Sequence, residues 1–406
     1  MSVPLQSSNA AAIAAALWDS GDIAGADAAW QRALQEDADD FEALHGLGRL
    51  RLAQNRLAGA AALLERALTL LAALDHAAAP ELARRVQRDL AWAYYRLDRF
   101  ELAAPHLTAM PEGSGLAQQL AAFDGRVPYR MAASVEEIQL PFWGTDPLPI
   151  VPLRLGDQEF PFVVDTGSSQ LVLDSAFLRE LDLPRYGVRE VTSASGQHTP
   201  IEHTILPELV LDTVTIADVP AEVMDVRRFA PQVGGLIGTN VLQRFFVDCD
   251  WSAETLTLRP NRHQTPFEHW KRSVPAEFYY LDSHLLLSPA RLNDLSTMAY
   301  LASGMAGASF TLAAHTAAQA GLRAGEAQMD AISAGGTQAL ELATATRLCV
   351  GDHCVEQPEG LTGLFPDELA WRYGFHVGAM LGHDFFKQSR WGIDFQAMRM
   401  YFEDRE

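Results

Sequence analysis

The chain repeats itself without a gap. PLRLGDQEFPFVVDTG, beginning at Pro152, lies over PARLNDLSTMAYLASG, beginning at Pro289, at a constant offset of 137 residues, so that Pro152 falls on Pro289, Arg154 on Arg291, Leu155 on Leu292, Asp157 on Asp294 and Gly167 on Gly304. A second match, at an offset of 144, sets GLIGTNVLQRFFVDCDWSAETLTL over AMLGHDFFKQSRWGIDFQAMRMYF and puts Gly238 on Gly382, Asp250 on Asp394 and Ala253 on Ala397. The offset grows along the chain as loop insertions would make it grow. From Ile138 onward the apolar residues alternate with period two in short runs broken by turn residues, the pattern of half-buried strands. Such a chain is expected to contain two similar all-β units in tandem.

Within the first copy the informative stretch is FPFVVDTGSSQLVLD. Phe160, Phe162 and Val164 alternate into Asp165, Thr166 and Gly167 turn the chain, and Gln170 to Asp174 reads as a strand leaving. An acid therefore stands at a strand tip. The stretch resembles the active-site loop of the aspartic peptidases, of retropepsin or pepsin type, in which two such loops meet across a two-fold axis and two carboxylates share a proton and hold the attacking water. Leu-Ile-Gly at Gly238 and Met-Leu-Gly at Gly382 are similar to the hydrophobic-hydrophobic-Gly element that closes each lobe in that family, where glycine lets backbone pass close behind the catalytic loop.

The resemblance covers roughly residues 135–404. It implies a pepsin-like bilobal domain made of two retropepsin-like lobes, 148–262 with the DTG loop and 263–406 with a degenerate ASG loop, and a cleft between them. It also implies that the hairpin SASGQHTP acts as a flap, with Ser195, Gly196, Gln197 and His198 against substrate, and makes SAGGTQA, from Ser333, its counterpart.

The same alignment departs from the family where its mechanism is most demanding. Asp165 faces Ala302, Thr166 faces Ser303 and Gly167 faces Gly304, so the second carboxylate is missing. Two carboxylates held close cannot both ionise, and the pair supplies an acid and a base at one pH. A lone Asp165 is expected to titrate nearer an ordinary aspartate and to act as general base or general acid, not both at once. Thr166 and Ser303 keep a hydroxyl where the family bridges its loops, and Gly167, Ser168 and Gly304 complete the supporting loops. His198, His315 and His383 are the candidates to replace the missing acid, although a loop or packing role is the commoner fate of such histidines. Asp174 has the spacing of a structural strand residue.

Upstream, residues 10–125 are rich in Ala and Leu with helical period and repeat every 34 residues. Ile23, Ala26, Trp30, Ala33 and Leu34 recur as Leu57, Ala60, Leu64, Ala67 and Leu68, and Phe100, Ala103 and Leu107 begin a looser third copy. This is similar to about three tetratricopeptide repeats, the third with a longer first helix, which implies either a concave surface for a protein or peptide partner or packing within the chain. Pro- and Gly-punctuated sequence over 126–147 reads as a linker. The fold class expected is thus multidomain α + β.

The formal charge of −21 disfavours nucleic acid and anionic membrane as partners. No apolar run has the length of a bilayer span and the N-terminal stretch lacks a basic start, so a cytoplasmic location is expected. The three cysteines fit a reducing compartment, with Cys349 and Cys354 expected as strand residues flanking a turn ahead of a disulfide or half a metal site. No metal or cofactor motif is present in the sequence. Three functions stay open: single-Asp processing of an extended peptide, a pseudoprotease that binds peptide or protein partners, and a cyclase- or isomerase-type enzyme using Asp165 on a small molecule.

Overall fold

The computed structural model describes residues 8–73, 79–108, 110, 114–192, 198–262, 264–267, 270, 274–282, 285–322, 328–333, 336–363, 365 and 370–404. It divides into two compact units. One comprises Met1–Gly125, Tyr280–Ser283 and Trp371–His376; the other comprises Arg126–Tyr279, His284–Ala370 and Val377–Glu406.

The first unit is built on helices Asn9–Asp19, Ile23–Glu36, Phe41–Ala53, Leu57–Ala72, Ala79–Arg96, Phe100–Thr108 and Ser114–Ala121, each packed on the next. Polar side chains start the first three: Ser8, Asp22 and Asp40 accept the free amides of Ala11, Gly25 and Ala43. Close packing rests on small residues. Ala26, Ala33, Ala60, Ala67 and Ala103 have no exposed surface, and Trp30 and Leu64 fill the matching bulky positions. Gly46 is needed under Trp30, whose ring lies 2.2 Å from where a Cβ would stand.

The second unit is β-rich, and its described residues form three sheets. In the first, strand Gln158–Val164 runs parallel to Gly235–Ile237, which pairs antiparallel with Leu171–Asp174, which in turn runs parallel to Val214–Met224. Strands Ile150–Leu155, His198–Leu211 and Val188–Thr192 complete it. In the second, Leu295–Leu301 runs parallel to Val377–Leu381, which pairs antiparallel with Phe310–Leu312, parallel in turn to Glu359–Thr362. The pairing scheme is the same, and it joins Val164 to Ile237 in one sheet and Leu301 to Leu381 in the other.

A six-stranded sheet joins the ends of the two sequence copies, in the order Ile138–Pro141, Thr255–Pro260, Phe245–Asp250, Ser389–Asp394, Arg399–Asp404, Val274–Glu277. Its central antiparallel pair aligns Asp248 with Gly392, residues equivalent at the 144 offset, flanked by Cys249 with Trp391 and Val247 with Ile393. A local two-fold relation therefore passes through that pair. The turns beyond obey it too: Asp250 Oδ1 accepts the amides of Ser252 and Ala253, and Asp394 Oδ1 those of Gln396 and Ala397.

One expectation is corrected here. Cys349 and Cys354 are not merely strand residues but directly opposed partners in the hairpin Arg347–Val350/His353–Glu356, and they form a disulfide. Opposed residues of an antiparallel pair lie near enough for that bond without any backbone rearrangement.

Candidate functional site

Two strands deliver the loops of the site. Strand Gln158–Val164 ends at Asp165 and Leu295–Leu301 ends at Ala302, and each loop is anchored by the same bond: Asp165 N–H donates to Ile237 O at 3.1 Å, Ala302 N–H to Leu381 O at 2.9 Å. The glycines that follow those carbonyls are required by space. A Cβ on Gly238 would lie 2.0 Å from Gln170 O, and one on Gly382 would lie 2.5 Å from Ala308 O.

The loops are locked to each other by a reciprocal set of hydrogen bonds. Thr166 Oγ1 accepts Ser303 N–H at 3.0 Å and donates to Leu301 O at 2.8 Å, while Ser303 Oγ accepts Thr166 N–H at 3.0 Å and donates to Val164 O at 2.8 Å. Both hydroxyls are buried. Each hydroxyl uses donor and acceptor together, so no polar atom of the lock is left unpaired. In the lock residue 166 plays the part of 303 and 164 the part of 301, which makes Ala302 the structural counterpart of Asp165.

Asp165 is half-buried, and its Oδ1 takes two backbone amides, Gly167 N–H at 2.8 Å from its own loop and Gly304 N–H at 3.1 Å from the other. No side chain is long enough at Ala302 to claim the second amide. Burial pushes the Asp165 carboxyl above its ordinary value, against the pull of the amides of Gly167, Gly304 and Ser168. The reading from sequence weighed the missing partner and not this burial. Ala302 is buried, its Cβ lying 2.8 Å from the place a Gly167 Cβ would occupy. Ser168 turns its hydroxyl to Gln170 O at 2.8 Å and serves the loop.

His383 sits behind the second loop with Nε2 3.0 Å from Thr145 O and its ring 5.0 Å from that of Trp251. His315 is exposed on the short helix Ala314–Gln319. His198 begins strand His198–Leu211, and Ser195, Gly196 and Gln197 lie outside the described residues. Asp174 is buried and structural, accepting the amides of Ala176 and Arg227. Among the described residues no three His, Cys, Asp or Glu side chains are grouped as a metal ion would require. No described helix is long and apolar enough to cross a membrane.

One positioning residue was not foreseen from sequence. Asn240 is fully buried; its Oδ1 accepts Leu171 N–H at 2.7 Å, and its Nδ2 donates to Pro220 O at 3.0 Å and Tyr129 Oη at 3.1 Å. With Thr239, whose N–H and hydroxyl both reach Ser168 O, it clamps the chain leaving Asp165. The available signal was two polar residues directly after a closing glycine in an otherwise apolar run.

No curated protein matches the chain. Residues 151–241, which carry Asp165, its loop and the first closing glycine, match a family model described as aspartyl protease, and the resemblance of this part of the chain to that family is thereby shown.

Proposed function

We propose that the β-rich unit is a pair of tandem lobes of aspartic-peptidase type and that Asp165 is the working carboxyl of a cleft that takes an extended peptide and processes it with single-acid chemistry. The recurring strand scheme, the equivalent pairing of Asp248 with Gly392 and the reciprocal Thr166/Ser303 lock support the tandem reading. The observation that carries the functional reading is the convergence of Gly167 and Gly304 amides on one oxygen of Asp165, which holds a half-buried carboxyl in a fixed orientation.

In this reading the ionised carboxyl takes a proton from water as the water oxygen bonds to the scissile carbonyl carbon. The carboxylic acid so formed then gives that proton to the amide nitrogen as the carbon–nitrogen bond breaks. The two roles follow one another on a single group, where a pair would divide them, so turnover is expected to fall several orders of magnitude below that of a two-acid site. A second reading, a peptide-binding pseudoprotease, is favoured by Ala302 itself, which supplies no group to stabilise the developing oxyanion. For the helical unit we propose tetratricopeptide-like repeats, on the strength of the buried alanines at the repeated positions.

The deciding experiment incubates the chain with an unfolded protein mixture across acidic to neutral pH. Cleavage that is blocked by a statine-type inhibitor and lost in Asp165→Asn supports the first reading. Absence of cleavage, with saturable peptide binding retained in Asp165→Asn, supports the second.

A further inference from the structure

The helical unit contains two short pieces of distant sequence, Tyr280–Ser283 and Trp371–His376. Its first, third and fifth helices hold them by their main chain. Trp18 Nε1 donates to Tyr373 O at 2.7 Å and Arg49 Nη2 reaches the same oxygen at 3.4 Å. Arg96 donates from Nη1 to Tyr280 O at 3.0 Å and from Nη2 to Leu52 O at 2.7 Å, its guanidinium 4.9 Å from the centre of the Tyr280 ring. Phe375 packs edge-on against Trp18 at 5.2 Å. Gly374, at φ +95°, brings the backbone so near that a Cβ there would stand 2.9 Å from Asp19 Oδ1 and 3.4 Å from Trp18 Nε1. The two pieces are also tied to each other, Arg372 Nε to Asp282 Oδ2 at 2.7 Å and Tyr373 Oη to the same oxygen at 3.2 Å.

The supporting residues are arranged for this load. Asp89 is buried with His45 Nε2 at 2.9 Å, Arg88 Nε at 3.4 Å and Arg49 Nε at 3.6 Å. Burial alone would raise its carboxyl, but the His45 hydrogen bond and the charges of Arg49, His45 and Arg88 outweigh it and hold the value at about 2. Ionised Asp89 thus fixes Arg49 at the position from which it meets Tyr373 O.

We infer that the ligand of this helical face is the chain's own tract 371–376, with 280–282 as a second anchor, and that the docked tract sets the position of the second loop of the Asp165 site. The connection is covalent and short. His376 is followed directly by strand Val377–Leu381, whose Leu381 O accepts Ala302 N–H at 2.9 Å, and two residues on His383 N–H donates to Met305 O at 2.8 Å. Ala302 and Met305 bracket Gly304, the donor to Asp165. A hydrogen-bonded strand transmits displacement along its length because its ladder and packing do not stretch. The face is therefore occupied in cis, and a protein partner would have to displace the tract and so loosen the loop. The inference concerns the placement of Gly304 and stands whether Asp165 cuts peptide or only binds it.

Hydrogen exchange on the full chain tests it with two variants that act from opposite sides. Trp18→Phe keeps the ring packing and removes the N–H, and Gly374→Ala introduces a Cβ at the tight contact. Loss of one ordinary buried hydrogen bond corresponds to about tenfold faster local exchange. The expected result in either variant is a rise of that size in 371–376, accompanied by 377–382 and by the Ala302 amide, with 245–250 and 389–394 unchanged. Unaltered protection of 371–376 in every variant that folds would overturn the docking. Release of 371–376 with 377–382 and Ala302 still protected would overturn the coupling to the site.

Discussion

Gly304 donates its amide to Oδ1 of Asp165 at 3.1 Å from the opposite loop, beside the 2.8 Å bond from Gly167. Ala302 carries no acceptor side chain, and the amide of the second loop meets the acid of the first. The contact leaves no room: a Cβ on Gly304 would lie 2.3 Å from Asp165 Cγ. Gly304→Ala is therefore predicted to displace the carboxyl, lowering any Asp165-dependent activity by roughly a hundredfold, the usual effect of a misplacement near 1 Å. Activity and thermal unfolding of the variant, measured together, check this.

Restoring the missing acid should divide the two roles again. Ala302→Asp is predicted to draw the Gly304 amide to its own loop, to push the two carboxyls apart in pKa, and to raise acid-pH cleavage of unfolded protein by more than about tenfold. Carboxyl NMR and the cleavage assay read the two effects separately. Coupled titration without faster cleavage would mean that the loops do not present a peptide bond between the acids.

Ser303→Ala breaks half of the lock. It removes the acceptor of Thr166 N–H and the donor to Val164 O, both buried. The expected loss is about 1–3 kcal/mol for the orphaned groups. Chemical denaturation checks the magnitude, and Ser303→Thr, which keeps the hydroxyl, should recover most of it.

The raised Asp165 pKa makes a signed prediction about stability. A carboxyl whose folded value lies above its unfolded value favours the folded state at low pH, and that contribution is lost as pH rises from the unfolded pKa through the folded one. Asp165→Asn, which preserves an acceptor for both glycine amides, should therefore melt higher than the wild type near neutral pH and no higher below pH about 3. A constant difference across that range would contradict the assignment of burial as the cause.

His203 tests the same logic with the opposite charge. Its ring is fully buried beside Glu222 in strand Val214–Met224, with no hydrogen-bond partner on either nitrogen among the described residues, and Arg189, which pairs with Glu222 at 2.5 Å, lies across the same sheet. Burial depresses the imidazole to about 4, with the attraction of Glu222 opposing and Arg189 adding to the effect. The unfolded chain binds the proton first, so stability should fall as pH drops from about 6.5 towards 4, by up to roughly 3 kcal/mol, and level off below. His203→Leu should remove that slope, as unfolding midpoints between pH 7 and 4 would show.

Much of this architecture was legible because the sequence repeat falls on residues with geometric duties. Gly238 and Gly382 are constrained by close backbone, Asp250 and Asp394 by the turns they cap, and Asp165 and Ala302 by an ungapped register. Other features needed three dimensions. Sequence spacing placed Cys349 and Cys354 on a hairpin, but only the pairing register sets them opposite each other. The raised Asp165 carboxyl follows from enclosure, which no local pattern encodes. Tract 371–376 reads as part of the β-rich sequence, because its seat on Trp18 and Arg49 depends on contacts more than three hundred residues apart (355 and 324 positions).

One half-buried carboxyl, oriented by the amides of two loops, is proposed to work without a partner. Titration of Asp165 by carboxyl-selective NMR, with Asp165→Asn as the assignment control, tests it most directly. The expected result is a single step with a midpoint above the ordinary aspartate value of about 3.9. A midpoint at or below that value, or a two-step curve revealing a second coupled acid, would contradict it.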